Sequence, residues 1–200
     1  LTRINVKIRS EYETDINGQG PAISENDIKA LLEKLKGLKQ GDTLVFAGSI
    51  PNTVPSDIYE KIMELLSGTG VRFVVDATKD LLLNSLKYRP FFIKPNNDEL
   101  GEIFSVRIDT PEDAIRYAGK LREMGAVNVL VSMGGKGAVL VDENGKDYYM
   151  PAISGKVVNT VGAGDSMVAG FIAGYLQKGW RLYTSTSPRD GLLPRMTSSA

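Results

Sequence analysis

The chain of 200 residues contains neither cysteine nor histidine. Without cysteine there is no disulfide framework, which fits a reducing compartment such as the cytoplasm. Without histidine, Ser-His-Asp hydrolysis, Cys-His chemistry and histidine-ligated zinc are all excluded. An enzyme built from this sequence would use a carboxylate as general base and a hard, oxygen-held cation such as Mg2+ as its metal. Charge of one sign is missing too, because 24 Lys plus Arg balance 24 Asp plus Glu. Nucleic-acid binders normally carry a basic excess, so nucleic acid is not an expected partner. No apolar run approaches the ~18 residues needed to cross a bilayer. No charged-then-apolar leader is seen either, so no membrane partner is expected.

What is present is the composition of an ordinary globular protein, with 42% hydrophobic and 24% charged residues. Residues 3–9 alternate strictly, which predicts a strand with one buried face. A second short strand is expected around 13–16, before the turn signal Asn17-Gly18-Gln19-Gly20-Pro21. Ser24 is placed to cap a helix reaching about residue 38, with Ile28, Leu31, Leu32 and Leu35 on one face. From there apolar strands (43–47, 71–75, 91–93, 127–131) alternate with helices (55–66, 80–86, 97–104, 111–124). Residues 137–141 and 146–150 flank Asn144-Gly145 as a hairpin, and a last helix is expected over 162–178. This order predicts an α/β fold with a mostly parallel sheet covered on both faces. Ligands of such sheets sit beyond the carboxyl ends of the strands. The loops at 48–51, 94–99, 132–137 and 159–165 are therefore where chemistry is expected. From Trp180 onward no period is visible, and a disordered or ill-packed tail is the expectation.

The segment Asn159-Thr160-Val161-Gly162-Ala163-Gly164-Asp165 opens the last helix. Small residues let a ligand approach the backbone, and the free N–H groups of a helix start favour an anion such as phosphate. Asp165 in the first turn either favours the helix dipole or stands ready to take a proton from a hydroxyl. In Lys94-Pro95-Asn96-Asn97-Asp98-Glu99, a loop enters a helix with acidic residues in its first turn, which simple capping would also explain. Ser132-Met133-Gly134-Gly135-Lys136-Gly137 is a glycine-rich turn after a strand. It is not a Walker loop, since Ser or Thr does not follow Gly-Lys at the required spacing. Gly48-Ser49-Ile50-Pro51 reads as a turn in its own right.

Taken together, Asn-Thr-Val-Gly-Ala-Gly-Asp-Ser, Asn-x-x-Glu and Gly-Ser-Ile-Pro resemble the motifs of the PfkB (ribokinase-like) carbohydrate kinases. The resemblance implies a three-layer sandwich and ATP- and Mg2+-dependent phosphorylation of a sugar phosphate. By the same resemblance Asp165 is the catalytic base, and the amides of Gly162, Ala163 and Gly164 form an anion hole. Asn96 and Glu99 would organise Mg2+ through water together with the ATP phosphates, and Lys94 would neutralise the transferring phosphate. Ser132, Gly134, Gly135 and Gly137 would line the nucleotide phosphates, or merely enter the hairpin. Ser49 would lie near the sugar phosphate. Arg3 either contacts that phosphate or is an exposed strand charge. The opening segments 2–8 and 13–21 are most similar to the branch acting on fructose 1-phosphate. A tagatose 6-phosphate kinase, or a fragment without activity, are the alternatives, and a homodimer is compatible with either enzyme.

The resemblance covers residues 2–179, which leads us to expect a partial kinase domain over 1–179 and an atypical tail over 180–200. Family members begin with a further section holding early strands and a Gly-Gly-rich sugar motif, and continue with helices that flank the adenine. This chain is accordingly expected to be incomplete at both sites.

Overall fold

The computed structural model describes residues 4–9, 13–18, 20–77, 79–155 and 162–178. Arg3, residues 159–161 and everything from residue 179 on lie outside them. The alternating segment forms β1 (Asn5–Arg9), which pairs antiparallel with β2 (Glu13–Asn17), Val6 opposite Ile16. Its apolar face differs from the expectation: Val6, Ile8 and Ile16 are 47, 46 and 53% exposed. The physical reason is that a two-stranded ribbon brings no second layer of its own to bury that face.

Helix α1 (Glu25–Leu35) starts where Ser24 predicts, because Ser24 and Asp27 close a reciprocal capping box. Ser24 N–H donates to the Asp27 carboxylate at 2.9 Å, and Asp27 N–H to Ser24 Oγ at 3.2 Å. The Ser24 hydroxyl also donates to this carboxylate at 2.6 Å, and that bond, then the one from Ser24 N–H, holds the Asp27 carboxyl below its usual range. The helix stops short of residue 38 because Gly37 favours the turn in which Leu38 N–H bonds Leu35 O.

The main sheet has six strands in sequence order: β3 (Thr43–Ala47), β4 (Arg72–Asp76), β5 (Phe92–Ile93), β6 (Asn128–Ser132), β7 (Ala138–Val141) and β8 (Asp147–Met150). Pairs β3–β4, β4–β5 and β5–β6 are parallel, and β6–β7 and β7–β8 antiparallel, so five of the six strands point the same way. Four helices connect the strands: α2 (Ile58–Leu65), α3 (Lys79–Ser85), α4 (Asn97–Phe104) and α5 (Pro111–Glu123). Helix α2 begins later than expected, since Pro55 to Asp57 form a turn and the Asp57 carboxylate pairs with Lys61 at 3.0 Å rather than capping. Thr110 caps α5, with Pro111 in the position where its missing N–H costs nothing.

One face of the sheet presents Phe73, Val75, Ile93, Val129, Val131, Val139 and Val141 to Ile62 and Met63 of α2, Leu82 of α3, Leu100 of α4 and Leu121 of α5. Alternation sends Val74, Phe92, Leu130 and Leu140 to the opposite face, where they too are buried. Both faces are thus apolar, as the near-continuous hydrophobic strands foretold. The chain divides after Pro151 into two compact units. The second contains α6 (Ala163–Lys178), in which Val168 is buried and the Phe171 and Tyr175 rings lie 6.3 Å apart.

Candidate active site

The parallel run β3 to β6 brings four carboxyl ends to one edge, a row about 14 Å wide at ~4.8 Å per strand. Register fixes what stands there. Ala47 pairs with Asp76, and Val75 with Ile93, so that Gly48, Asp76 and Lys94 follow one another across the edge. Gly48 N–H donates to Asp76 O at 3.2 Å, and Lys94 N–H reaches Val75 O at 3.4 Å. Ser132 N–H donates to Pro95 O at 3.1 Å, and Asn96 and Ser132 form a parallel bridge. Lys94, Asn96 and Ser132, singled out separately in the sequence, are therefore neighbours in the structure.

Lys94 is not a free cation. Its ammonium lies 3.2 Å from Asp76 Oδ1, with the side chains only 8% and 20% exposed. Asp76 is the residue that the sequence reading missed. Its available signal was position, since a carboxylate directly after a buried parallel strand stands at the ligand-bearing edge. Beside it, Ser49 is exposed and helps line a cavity of about 730 Å3 with Asn52, Asp57, Glu60, Asp80 and Asn84. The Tyr59 hydroxyl approaches the carbonyls of Ala47 and Gly48 at 3.3 and 3.4 Å, and burial pushes its phenol up. Glu60 is held here by an ion pair with Lys87 at 2.6 Å and a hydrogen bond from the Asn84 amide at 2.9 Å; the Glu60 bond also pushes the Lys87 ammonium up.

Asn96 and Glu99 close a capping box at the start of α4, each accepting the other's N–H at 2.8 Å. The bond to Asn96 uses Glu99 Oε2 and leaves Oε1 without a partner among the described residues. Mg2+ keeps several waters and usually needs only one or two protein carboxylates alongside substrate phosphates. No group of three or more metal-binding carboxylates occurs among the described residues, so a protein-only cage is absent there. One half-free carboxylate does fit a water-mediated contact.

The glycine-rich segment becomes a 3-10 turn, Gly134–Lys136, closed by a 2.8 Å bond from Met133 N–H to Gly137 O. Gly134 and Gly137 have φ of 54° and 98°, which side chains disfavour. Gly135 has no such constraint, and an added Cβ would meet nothing within 4 Å. Packing does not require glycine at this position, whereas close approach of a ligand would. Lys136 turns away and donates to Asp109 O at 2.7 Å.

In the second unit, Gly162 at φ 78° leads into α6, and Ser166 N–H bonds its carbonyl at 2.9 Å. Ala163, Gly164 and Asp165 occupy the first turn, where amides lack intrahelical acceptors. Asp165 is exposed. A helix start with open amides and a first-turn carboxylate can hold an anion and accept a proton. Among the described residues, no helix is long and apolar enough to cross a membrane.

The chain is similar to known proteins over most of its length. It is 50% identical to a 1-phosphofructokinase of Bacillus subtilis over 173 residues, 86% of this chain and 57% of that one. A D-tagatose-1-phosphate kinase of Bacillus licheniformis is 38% identical over 86% of this chain and 57% of its own length. A solved Staphylococcus aureus structure, described as a phosphofructokinase, is 43% identical with a TM-score of 0.74, covering 85% of this chain and 55% of that one. The chain thus spans about 57% of the length of the curated relatives it matches. Residues 2–186 match the description "pfkB family carbohydrate kinase", and the chain belongs to that family.

Proposed function

We propose that this sequence belongs to a cytoplasmic kinase that transfers the γ-phosphoryl group of ATP to fructose 1-phosphate, giving fructose 1,6-bisphosphate and ADP. The observation that carries this reading is the 50% identity to a 1-phosphofructokinase across 173 residues. In the proposed reaction Asp165 takes the proton of the sugar C6 hydroxyl, whose oxygen bonds to the γ-phosphorus as the bond to ADP breaks. The amides of Gly162, Ala163 and Gly164 stabilise negative charge on the phosphates. Lys94 neutralises transferring phosphate, with Asp76 holding the ammonium until it arrives. Mg2+, when bound, supplies charge neutralisation on the nucleotide, and Glu99 Oε1 is the proposed water-mediated contact. Gly135 gives the phosphates room at the turn, and Ser49 lies on the sugar-phosphate side.

A second reading has a specific observation behind it. The 38% identity to a D-tagatose-1-phosphate kinase points to another 1-phosphorylated ketohexose. A panel of fructose 1-phosphate, tagatose 1-phosphate and tagatose 6-phosphate, assayed for ADP release, separates the readings. The highest kcat/KM is expected with fructose 1-phosphate; a preference for either tagatose phosphate would overturn the first reading.

A further inference from the structure

The amino-terminal edge of the sheet, opposite the candidate active edge, also holds a cavity. The loop after α2 and the segments entering β4, β5 and β6 enclose about 410 Å3. Arg72, Arg89, Tyr88, Phe91, Gly68 and Gly70 are among its lining residues, and no Asp or Glu is.

Neither arginine forms an ion pair among the described residues. Arg72 is nonetheless held: one Nη donates to Gly41 O at 3.2 Å, and the guanidinium sits 5.9 Å from the Phe91 ring centre. This fixes the cation without neutralising it. Arg89 is exposed and ends the 3-10 turn Leu86–Tyr88 with φ 52°, a left-handed conformation that suits glycine or asparagine. An arginine is thus carried at a position where the backbone favours a smaller residue. The N–H groups of Gly68 and Gly70 have no acceptor among the described residues, and both glycines have left-handed φ, 78° and 79°.

Guanidinium groups match phosphate oxygens with paired donors, and open backbone amides add to such a site. The aromatic rings offer a surface for a flat apolar body. A volume of about 410 Å3 lies in the range of small-molecule sites. We propose that this cavity is a second binding site, for a phosphorylated small molecule of about the size of a nucleoside monophosphate. Arg72 and Asp76 are the two ends of β4, about 13 Å apart at ~3.3 Å per residue, so the ligand is distinct from one held at the catalytic edge.

Amide chemical-shift mapping of the 15N-labelled chain, titrated separately with inorganic phosphate and with adenosine monophosphate, tests this. Both probes are expected to shift the amides of Gly68, Gly70 and Arg89. Tighter binding of the nucleotide would show that the rings take part, and equal binding that phosphate alone is recognised. Arg89→Gly should weaken binding about tenfold, yet melt at the same or a higher temperature because glycine relieves the left-handed φ. Arg72→Gln should weaken binding similarly and serves as the second variant. Shifts confined to the amides around Ser49, Lys94 to Glu99, or Gly162 to Asp165 would overturn the proposal. So would the absence of shifts, or an Arg89→Gly chain that binds phosphate as tightly as its parent.

Discussion

Glu99 caps α4 with one carboxylate oxygen and is proposed to contact Mg2+ with the other, and substitution can separate the two roles. Glutamine still accepts the Asn96 N–H, so Glu99→Gln should leave stability within ~0.5 kcal/mol of the parent while raising the Mg2+ concentration for half-maximal rate. Glu99→Ala also loses the cap and should cost about 1 kcal/mol in chemical denaturation. An unchanged Mg2+ titration in Glu99→Gln would reduce the Asn96–Glu99 motif to capping. Lys94 invites a complementary test. Removing its charge strands Asp76 at low exposure, so Lys94→Met should destabilise by about 3 kcal/mol. Adding Asp76→Asn should recover most of that loss; two strictly additive losses would mean that the pair is not coupled. The sequence made Asn96 and Glu99 legible, because a capping signature is local. It could not reveal the Asp76–Lys94 pair, which exists only because β4 and β5 lie side by side in one register.

Glycines distinguish elements that serve packing from those proposed to serve a ligand. At the end of α5, a Cβ on Gly125 would sit 2.2 Å from Leu86 O, and φ there is 135°. Gly125→Ala should therefore cost more than ~3 kcal/mol, read as a large drop in Tm. In the turn after β6, Gly135→Ala meets no neighbour and should leave Tm unchanged, but raise KM for ATP. A Gly135→Ala protein with unchanged KM would remove this turn from the nucleotide site. Helices α4 and α5 and strand β3 were legible almost to the residue, because capping residues and apolar runs mark them. The start of α2 shifted because Asp57 pairs with Lys61 instead of capping. The ribbon β1–β2 shows the limit of period-2 reasoning. Alternation identifies a strand's apolar face, but only a second layer decides whether that face is buried.

Across the whole molecule, balanced charge and the absence of histidine and cysteine narrowed the chemistry before any motif was considered. The alternation of strands and helices then foretold the mostly parallel sheet, which the parallel pairs from β3 to β6 bear out. The cavity at the opposite edge was not foretold, since it joins the turn and strand start around Gly68 and Arg72 to Arg89, some twenty residues on, without a shared local pattern. The central claim rests on one carboxylate in the first turn of α6. Its most direct test is the steady-state rate of ATP-dependent fructose 1-phosphate phosphorylation by a protein carrying this sequence, compared between the parent and Asp165→Asn, with ATP affinity measured for both. If Asp165 is the base, kcat falls by at least ~10² while ATP binding stays within about threefold. A near-parental kcat in Asp165→Asn would contradict that assignment.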